Sequence, residues 1–343
     1  TGITIQGESY RYLSKRQSLT LSATVTPSNA NQTVTWTSEN PNIATVSSKG
    51  VVTAGSLVGT TMITATTTSG RKAVVYVTVT DTSDKVVVAG IALQPGQYLA
   101  QDGLKPTTTK PADNYAYLAN VNNVLTLTLH NFNYTGLGYY SNDLSKWCSI
   151  YADSALTIVV EKENSLSCGG NVGIWMGNGG TITCANYLYS DKLTLSNVSM
   201  GIAVADGNLT IDQQIFLDIT TKSSSGYGIF MDQANDGDES VLTFSNKAKV
   251  NIEASGVGIF AGYVGDVIIT TNANITCITK ATSNTDALEI RKGNFTMNSG
   301  YAYFSSVGGN GIDVSGNFKQ NSGTLIAEGG DYGIYIMSST ERP

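Results

Sequence analysis

Charge is scarce in this sequence of 343 residues: Asp, Glu, Lys and Arg make up 13%, and 20 basic against 26 acidic residues leave a net charge of −6. Binding to phosphate backbones or anionic lipid needs a basic footprint, so neither nucleic acid nor an anionic membrane is an expected partner. There is one histidine, His130, with no motif around it. Proline is limited to six residues and cysteine to four. No run approaches the ~18 apolar residues that span a bilayer, and the first residues lack a basic then apolar leader. No direct membrane insertion is expected of this segment.

Glycine (36), tyrosine (18) and the small polar residues Thr, Ser and Asn are abundant. That mixture suits an extracellular all-β protein better than a cytosolic α/β enzyme, and the length makes two domains the natural expectation.

The dominant pattern is a repeat. An Ile or Leu stands two residues before a Val, Met, Ala or Ile, usually after Gly, at Ile150, Ile174, Ile202, Ile229, Ile259, Leu288, Ile312 and Ile334. The spacings are 24, 28, 27, 30, 29, 24 and 22 residues. Each copy continues with a second alternating pair, such as Leu156/Ile158, Ile182/Cys184 or Phe295/Met297, although Ile229 waits 13 residues for Leu242/Phe244. A third pair follows, such as Leu166/Cys168, Leu193/Leu195, Ile275/Cys277 or Leu325/Ala327. Alternation at period two means strands with one buried face. Three short strands per repeat without a helical stretch describe one coil of a parallel β-helix, expected to be right-handed because parallel crossovers almost always are. About eight coils are expected. Asn164, Asn246, Asn272, Asn298 and Asn321 recur between the second and third strands, where Asn tolerates the positive φ of a corner.

The cysteines fit this register as buried free thiols rather than as disulfides. Cys148 has the parity of Ile150, Cys184 lies in a second strand, and Cys168 and Cys277 lie in third strands four coils apart. A disulfide needs Cα atoms within about 7 Å, whereas strands four coils apart are separated by roughly 19 Å.

Residues 1–81 do not follow the repeat. Six short strands are expected there, ITIQG, SLTLSATVTP, TVTWTSE, IATVSSKGVVTA, TTMITATTTSG and AVVYVTVT, which suggests an immunoglobulin-like β-sandwich. Trp36 reads as core, and Arg11, Lys15 and Arg16 as a solvated basic turn. Trp36 with Ser38, Ala44-Thr45-Val46, Gly50, Val52-Thr53-Ala54, Gly59 and Ile63-Thr64-Ala65 together resemble the group 2 bacterial immunoglobulin-like domain of intimin and invasin type surface proteins. The resemblance covers nearly the whole domain. It implies a spacer or adhesive module outside a bacterial cell, without catalysis. Residues 82–145 are expected to hold a linker, a cap and a first imperfect coil, with LKPTTTKPAD resisting regular structure and VLTLTLHNFNYTG supplying strands. The repeats proper occupy 146–343, and their rungs resemble bacterial cell-surface β-helix proteins described as adhesins or carbohydrate-binding.

Parallel β-helices also include pectate lyases and polygalacturonases, and Asn284-Thr285-Asp286 resembles the Asn-Thr-Asp of the latter. The paired Asp, the Gly-His-Gly and the Arg-Ile-Lys that those enzymes need downstream are absent. The acidic insertion with Asp232, Asp236, Asp238 and Glu239 around Gly237 reads equally as a Ca2+ loop or an acidic surface turn, so no cofactor is required. More informative is the outward residue between the two inward positions of each first strand. In order these are Tyr151, Trp175, Ala203, Phe230, Phe260, Glu289, Asp313 and Tyr335, five of the eight aromatic. Two readings stay open: a binding surface for an extended polymer, or a face covered by loops, by the N-terminal domain or by a second copy. The expected function is non-catalytic, adhesion to a polysaccharide or a host or cell-surface glycan or protein, at the bacterial cell surface. Neutral or cationic glycans are expected over pectate. The alternative is a β-helix polysaccharide lyase or glycoside hydrolase.

Overall fold

The computed structural model describes residues 2–6, 10–14, 18–55, 57, 59–80, 85–122, 124–141, 144–186, 191–231, 240–262 and 265–337. Its contacts divide into two units, 1–84 and 85–343. Every regular element among the described residues is a strand.

In the first unit, Tyr10–Ser14, Lys72–Thr80, Gly59–Thr67 and Val34–Ser38 form one sheet, Ser18–Thr20, Val51–Ala54 and Ala44–Val46 a second, and Gly2–Ile5 pairs with Ala23–Thr26. Trp36 lies in the core with Leu13, Leu21, Val52, Ile63 and Val77. Gly50 is required beside it: its φ is +77°, and a Cβ there would meet the Leu21 carbonyl and stand 3.2 Å from the indole. Two expectations need correction. The stretch around Arg11, read as a turn, is a strand whose residues 10–14 pair in parallel with 76–80. Its partner is more than 60 residues away, so no local pattern announces it. The single runs expected over SLTLSATVTP and IATVSSKGVVTA each divide in two: Ser18–Thr20 pairs with Val51–Thr53 and Ala23–Thr26 with Gly2–Ile5, while Ala44–Val46 folds back antiparallel on Val52–Ala54.

The second unit is a β-solenoid. Its first-strand sheet runs in parallel from Lys146–Ala152 to Ile334–Ile336, its second from Val124–His130 to Phe318–Gln320, and its third from Asn133–Thr135 to Thr324–Gly329. Seven coils close between Lys146 and Gly329, and the eighth rung, Ile334–Ile336, is followed by no second strand among the described residues. The rungs align as the repeat demands, with Ile150 on Ile174, Ile202, Ile229, Ile259, Leu288 and Ile312 in turn. All seven are fully buried. Ile334, on which no further described coil stacks, is 40% exposed.

Most coils enter the first strand with a glycine before the inward residue, at Gly173, Gly201, Gly228, Gly258, Gly311 and Gly333, while Ser149 and Ala287 hold the same place in the other two. The registers pair Val172 with Met200 and Ile174 with Ile202 and skip Gly173 and Gly201 in both strands, so the ladder is interrupted at the same place in each coil without a change of register. A Cβ on Gly228 would run into Ile252 and one on Gly258 into the Cys277 sulfur, whereas Ser149 and Ala287 carry side chains at the equivalent place of their coils. The corner therefore turns Val172, Met200 and Cys148 to the outer face: Cys148 packs with Val87, Tyr151, Val172 and Ala203, not with the interior, which corrects its assignment by simple alternation. Cys168 also departs from expectation. It follows the strand Glu163–Ser167, and its thiol donates to the Leu137 carbonyl at 3.0 Å. All four cysteines are buried and free.

The asparagine corners hold in part. Asn246 and Asn272 have positive φ, but at the Asn164 corner Lys162 takes that conformation. Asn164 instead turns inward, accepting from the Phe132 amide at 2.7 Å and donating to the Glu161 and Lys162 carbonyls. At Asn298 and Asn321 the positive φ falls on Gly300 and Gly323, freeing the two amides to bond one another at 2.7 Å.

Residues 86–121 cap the stack with antiparallel strands. Val86–Val88 pairs with Ile150–Ala152, and Tyr115–Val121 with Val124–His130. Within LKPTTTKPAD, Lys105–Thr107 forms a short strand on Ala100 to Tyr98, an edge position where proline is tolerated. His130, which carries no sequence motif, ties the cap down: its Nδ1 lies 2.6 Å from Glu161, its Nε2 2.8 Å from Asp113, and its ring stacks on Tyr115 at 4.8 Å.

Inward and outward neighbours should respond oppositely to charge. Ile229→Asp is expected to unfold the solenoid, since an unpaired buried charge is strongly disfavoured, whereas Phe230→Asp stays folded; equal losses in urea denaturation would refute the assigned parity. A second expectation concerns alkaline pH. Burial pushes the Cys148 thiol from 9.0 up to about 12, so the folded state keeps its proton where the unfolded chain releases it. The stability that this thiol contributes is whole below about pH 9 and is lost as pH rises toward about 12, and Cys148→Ala should flatten that part of the decline. Parallel pH profiles of the two proteins would count against it.

Candidate functional site

The outer face of the first-strand sheet carries the row expected from the sequence. Tyr151, Trp175, Ala203, Phe230, Phe260, Glu289, Asp313 and Tyr335 pair in that order, one per coil. Because the interrupted corner sends a second residue outward, Val172, Met200 and Tyr227 form a column beside it. The two columns make an apolar surface in which Trp175, Met200 and Phe230 are partly exposed.

Exposure along the row is uneven. Tyr151 is 7% exposed, covered by Tyr139 with ring centroids 4.8 Å apart, and Phe260 is 5% exposed. Burial, with Asp153 beside it, raises the Tyr151 hydroxyl above its usual range, so it remains a neutral phenol. Phe230 stacks on Phe260 at 5.3 Å and 10°, with Tyr227 tilted against both. The far side of Phe260 is closed by Arg291, whose guanidinium lies 4.8 Å from the ring while its Nε donates to Glu289 at 2.8 Å. Arg291 thus marks the seam where the apolar half of the row gives way to a polar half.

Beyond that seam lies a cavity of about 420 Å³. It gathers Glu289, Asp313 and Tyr335 from the row with Asp286 and Asn284 of the Asn-Thr-Asp stretch. Arg291, Asn310, Asp331 and Tyr332 complete the lining. Asp286 and Asp313 are 8% and 7% exposed, whereas Tyr332 is open to solvent. Asp286 has a structural task, since its Oδ1 accepts the Asn310 amide at 2.6 Å and so holds one coil's corner on the next. Tyr332 and Tyr335 stack at 5.4 Å and 29°. Among the described residues no three carboxylate, histidine or cysteine side chains converge as ligands of a metal ion. The insertion bearing Asp232, Asp236, Asp238 and Glu239 lies outside the described residues.

Arg291, Asn310, Asp331 and Tyr332 were not legible as site residues. One signal existed for Tyr332: Tyr332-Gly333-Ile334-Tyr335 repeats the layout of Tyr227-Gly228-Ile229-Phe230, so both outward columns carry aromatics in each.

Residues 1–79 match the Big_2 family, the bacterial Ig-like domain (group 2). The N-terminal unit is a group 2 bacterial Ig-like domain. With the β-solenoid that follows, this domain fits a surface protein. A Lacto-N-biosidase of Bifidobacterium bifidum is 36% identical over 115 residues, which is 32% of this chain and 9% of that protein. The chain thus spans under a tenth of that relative's length.

Replacing Asp286 by Ala should cost about 1–3 kcal/mol, because it strands the buried Asn310 amide, whereas Asp286→Asn keeps an acceptor and should cost less. Denaturant titration of the two variants checks the ordering; a neutral Asp286→Ala would remove its structural role.

Proposed function

We propose that this is a non-catalytic protein of the bacterial cell surface that binds glycan through the outer face of its first-strand sheet, with the Ig-like domain as a spacer. The observation that carries the proposal is the continuity of that face: partly exposed Trp175 and Phe230 lead in register to a cavity rich in hydrogen-bonding groups. Sugars present apolar C–H faces that stack on aromatic rings and hydroxyls that need fixed polar partners, and this surface offers both along one line. The likeness to a Lacto-N-biosidase supports a glycan setting, and the Big_2 domain supports an extracellular one. The reading needs no cofactor.

A second reading, a β-helix lyase or hydrolase, draws on the gathering of Asp286, Glu289, Asp313 and Asp331 around one cavity. Glycoside hydrolysis uses two carboxyl groups about 5 to 9.5 Å apart. Both readings are tested on a polysaccharide panel scored for binding and for release of reducing or unsaturated ends. The expected result is binding without product, weakened about tenfold or more by Trp175→Ala with Phe230→Ala, a loss of roughly 1.4 kcal/mol. Undiminished binding in the double variant would place the site elsewhere, and product formation lost in Asp313→Asn would make the protein an enzyme.

A further inference from the structure

We propose that His130 is a proton-operated latch on the cap: it bridges Asp113 and Glu161 as an imidazolium, and loss of its proton loosens the segment 113–121 from the stack.

The latch follows from where the three side chains sit. Glu161 ends the strand Leu156–Glu161 of the first full coil, and His130 is its register partner one strand nearer the end. Tyr115, the partner of His130 in turn, opens the cap strand Tyr115–Val121, and Asp113 stands just ahead of that strand. One ring therefore joins the stack to the cap, with Nδ1 2.6 Å from Glu161 and Nε2 2.8 Å from Asp113.

Counting hydrogens decides the charge on the ring. A carboxylate only accepts, so each contact needs a hydrogen on its ring nitrogen. A neutral imidazole carries one, and either tautomer would press a lone pair against a carboxylate oxygen. The imidazolium supplies both, and separations this short are those of charge-assisted bonds. Asp113 is not the group that brings the extra hydrogen, because Lys162 donates to it at 2.9 Å and holds its carboxyl below the usual range. Tyr115 lies flat on the ring, 6° from parallel with centroids 4.8 Å apart, and an aromatic face attracts a cation. Lys110, with its ammonium 5.5 Å from the Tyr115 centroid, and Tyr98, edge-on to Tyr115 at 5.4 Å, are the further titratable groups of the cluster.

When the proton leaves, one of the two bonds becomes a pair of facing lone pairs around a side chain only 17% exposed. Asp113 is the more exposed carboxylate, at 44% against 29% for Glu161, so it is the one that turns to water, and the chain leading into the cap strand goes with it. That strand covers the end of the core with Ala116 and Leu118, both fully buried. Because the closed cap binds a proton that the open chain gives up, closure is firmest at acid pH and weakens as pH rises.

The test exploits His130 being the one histidine of the chain, whose ring gives a single imidazole signal in NMR spectra. That signal and the hydrogen-exchange protection of the cap amides are followed together from about pH 5 to about pH 9, below the range in which the Cys148 thiol ionises. Protection in Tyr115–Val121 should fall about tenfold or more as the ring loses its proton, while Ile202 and Ile229 in the middle of the stack keep theirs. In Glu161→Gln the new amide donates to a bare ring nitrogen as readily as it accepts from a protonated one, so the fall should disappear. His130→Phe keeps a ring on Tyr115 but has no proton to lose, and its cap should show the low protection at every pH. Cap protection indifferent to pH in the native chain, a ring titration with no matching change in the cap, or an undiminished pH response in Glu161→Gln overturns the latch.

Discussion

The second unit depends on one constraint: each coil can bury its inward side chains only against the coils above and below it. A solenoid coil has no hydrophobic core of its own, and its backbone donors and acceptors are likewise satisfied by its neighbours. The column from Ile150 to Ile312 is where that constraint is met, fully buried at every step. Because the contact is between like positions, one unsuitable residue disturbs two interfaces. The same logic explains the ends. The N-terminal end is covered by antiparallel strands and pinned by the Asp113, His130 and Glu161 cluster, while Ile334 and Ile336, on which no coil stacks among the described residues, are exposed.

Function follows from what stacking leaves over. Once the inward positions belong to the core, alternation presents one outward residue per coil at strand spacing, and the corner before it adds a second. Two columns side by side give a surface wide enough for rings to tilt against one another, as Tyr227, Phe230 and Phe260 do.

The site was legible to different depths along its length. Trp175 and Phe230 could be placed outward from alternation alone, because strand parity is a local property. Their neighbour Tyr151 could not be recognised as covered, since its cover comes from Tyr139 on a strand that pairs antiparallel with its own. The polar end was seen only in part. Glu289, Asp313 and Tyr335 belong to the row, but Asn310 and Asp331 sit in corners, where no periodicity says which way a side chain points. The Asn-Thr-Asp stretch, discounted for want of the downstream motifs of polygalacturonases, lines the cavity, with Asp286 accepting a backbone amide from the next coil.

The sequence by itself determined the two-part organisation, the repeat with its inward residues, and the Ig-like family of the first 79 residues. These are written in short-range patterns, alternation and motif spacing, that survive without knowledge of distant partners. Only the tertiary structure decided that Tyr10–Ser14 is a strand, that Cys148 faces outward and that Asn164 turns in. It also brought four carboxylates from successive coils and their corners around one cavity. In each case the deciding contact joins residues a coil or a whole domain apart, and the orientation of a corner is set by the neighbour it must fit rather than by its own sequence.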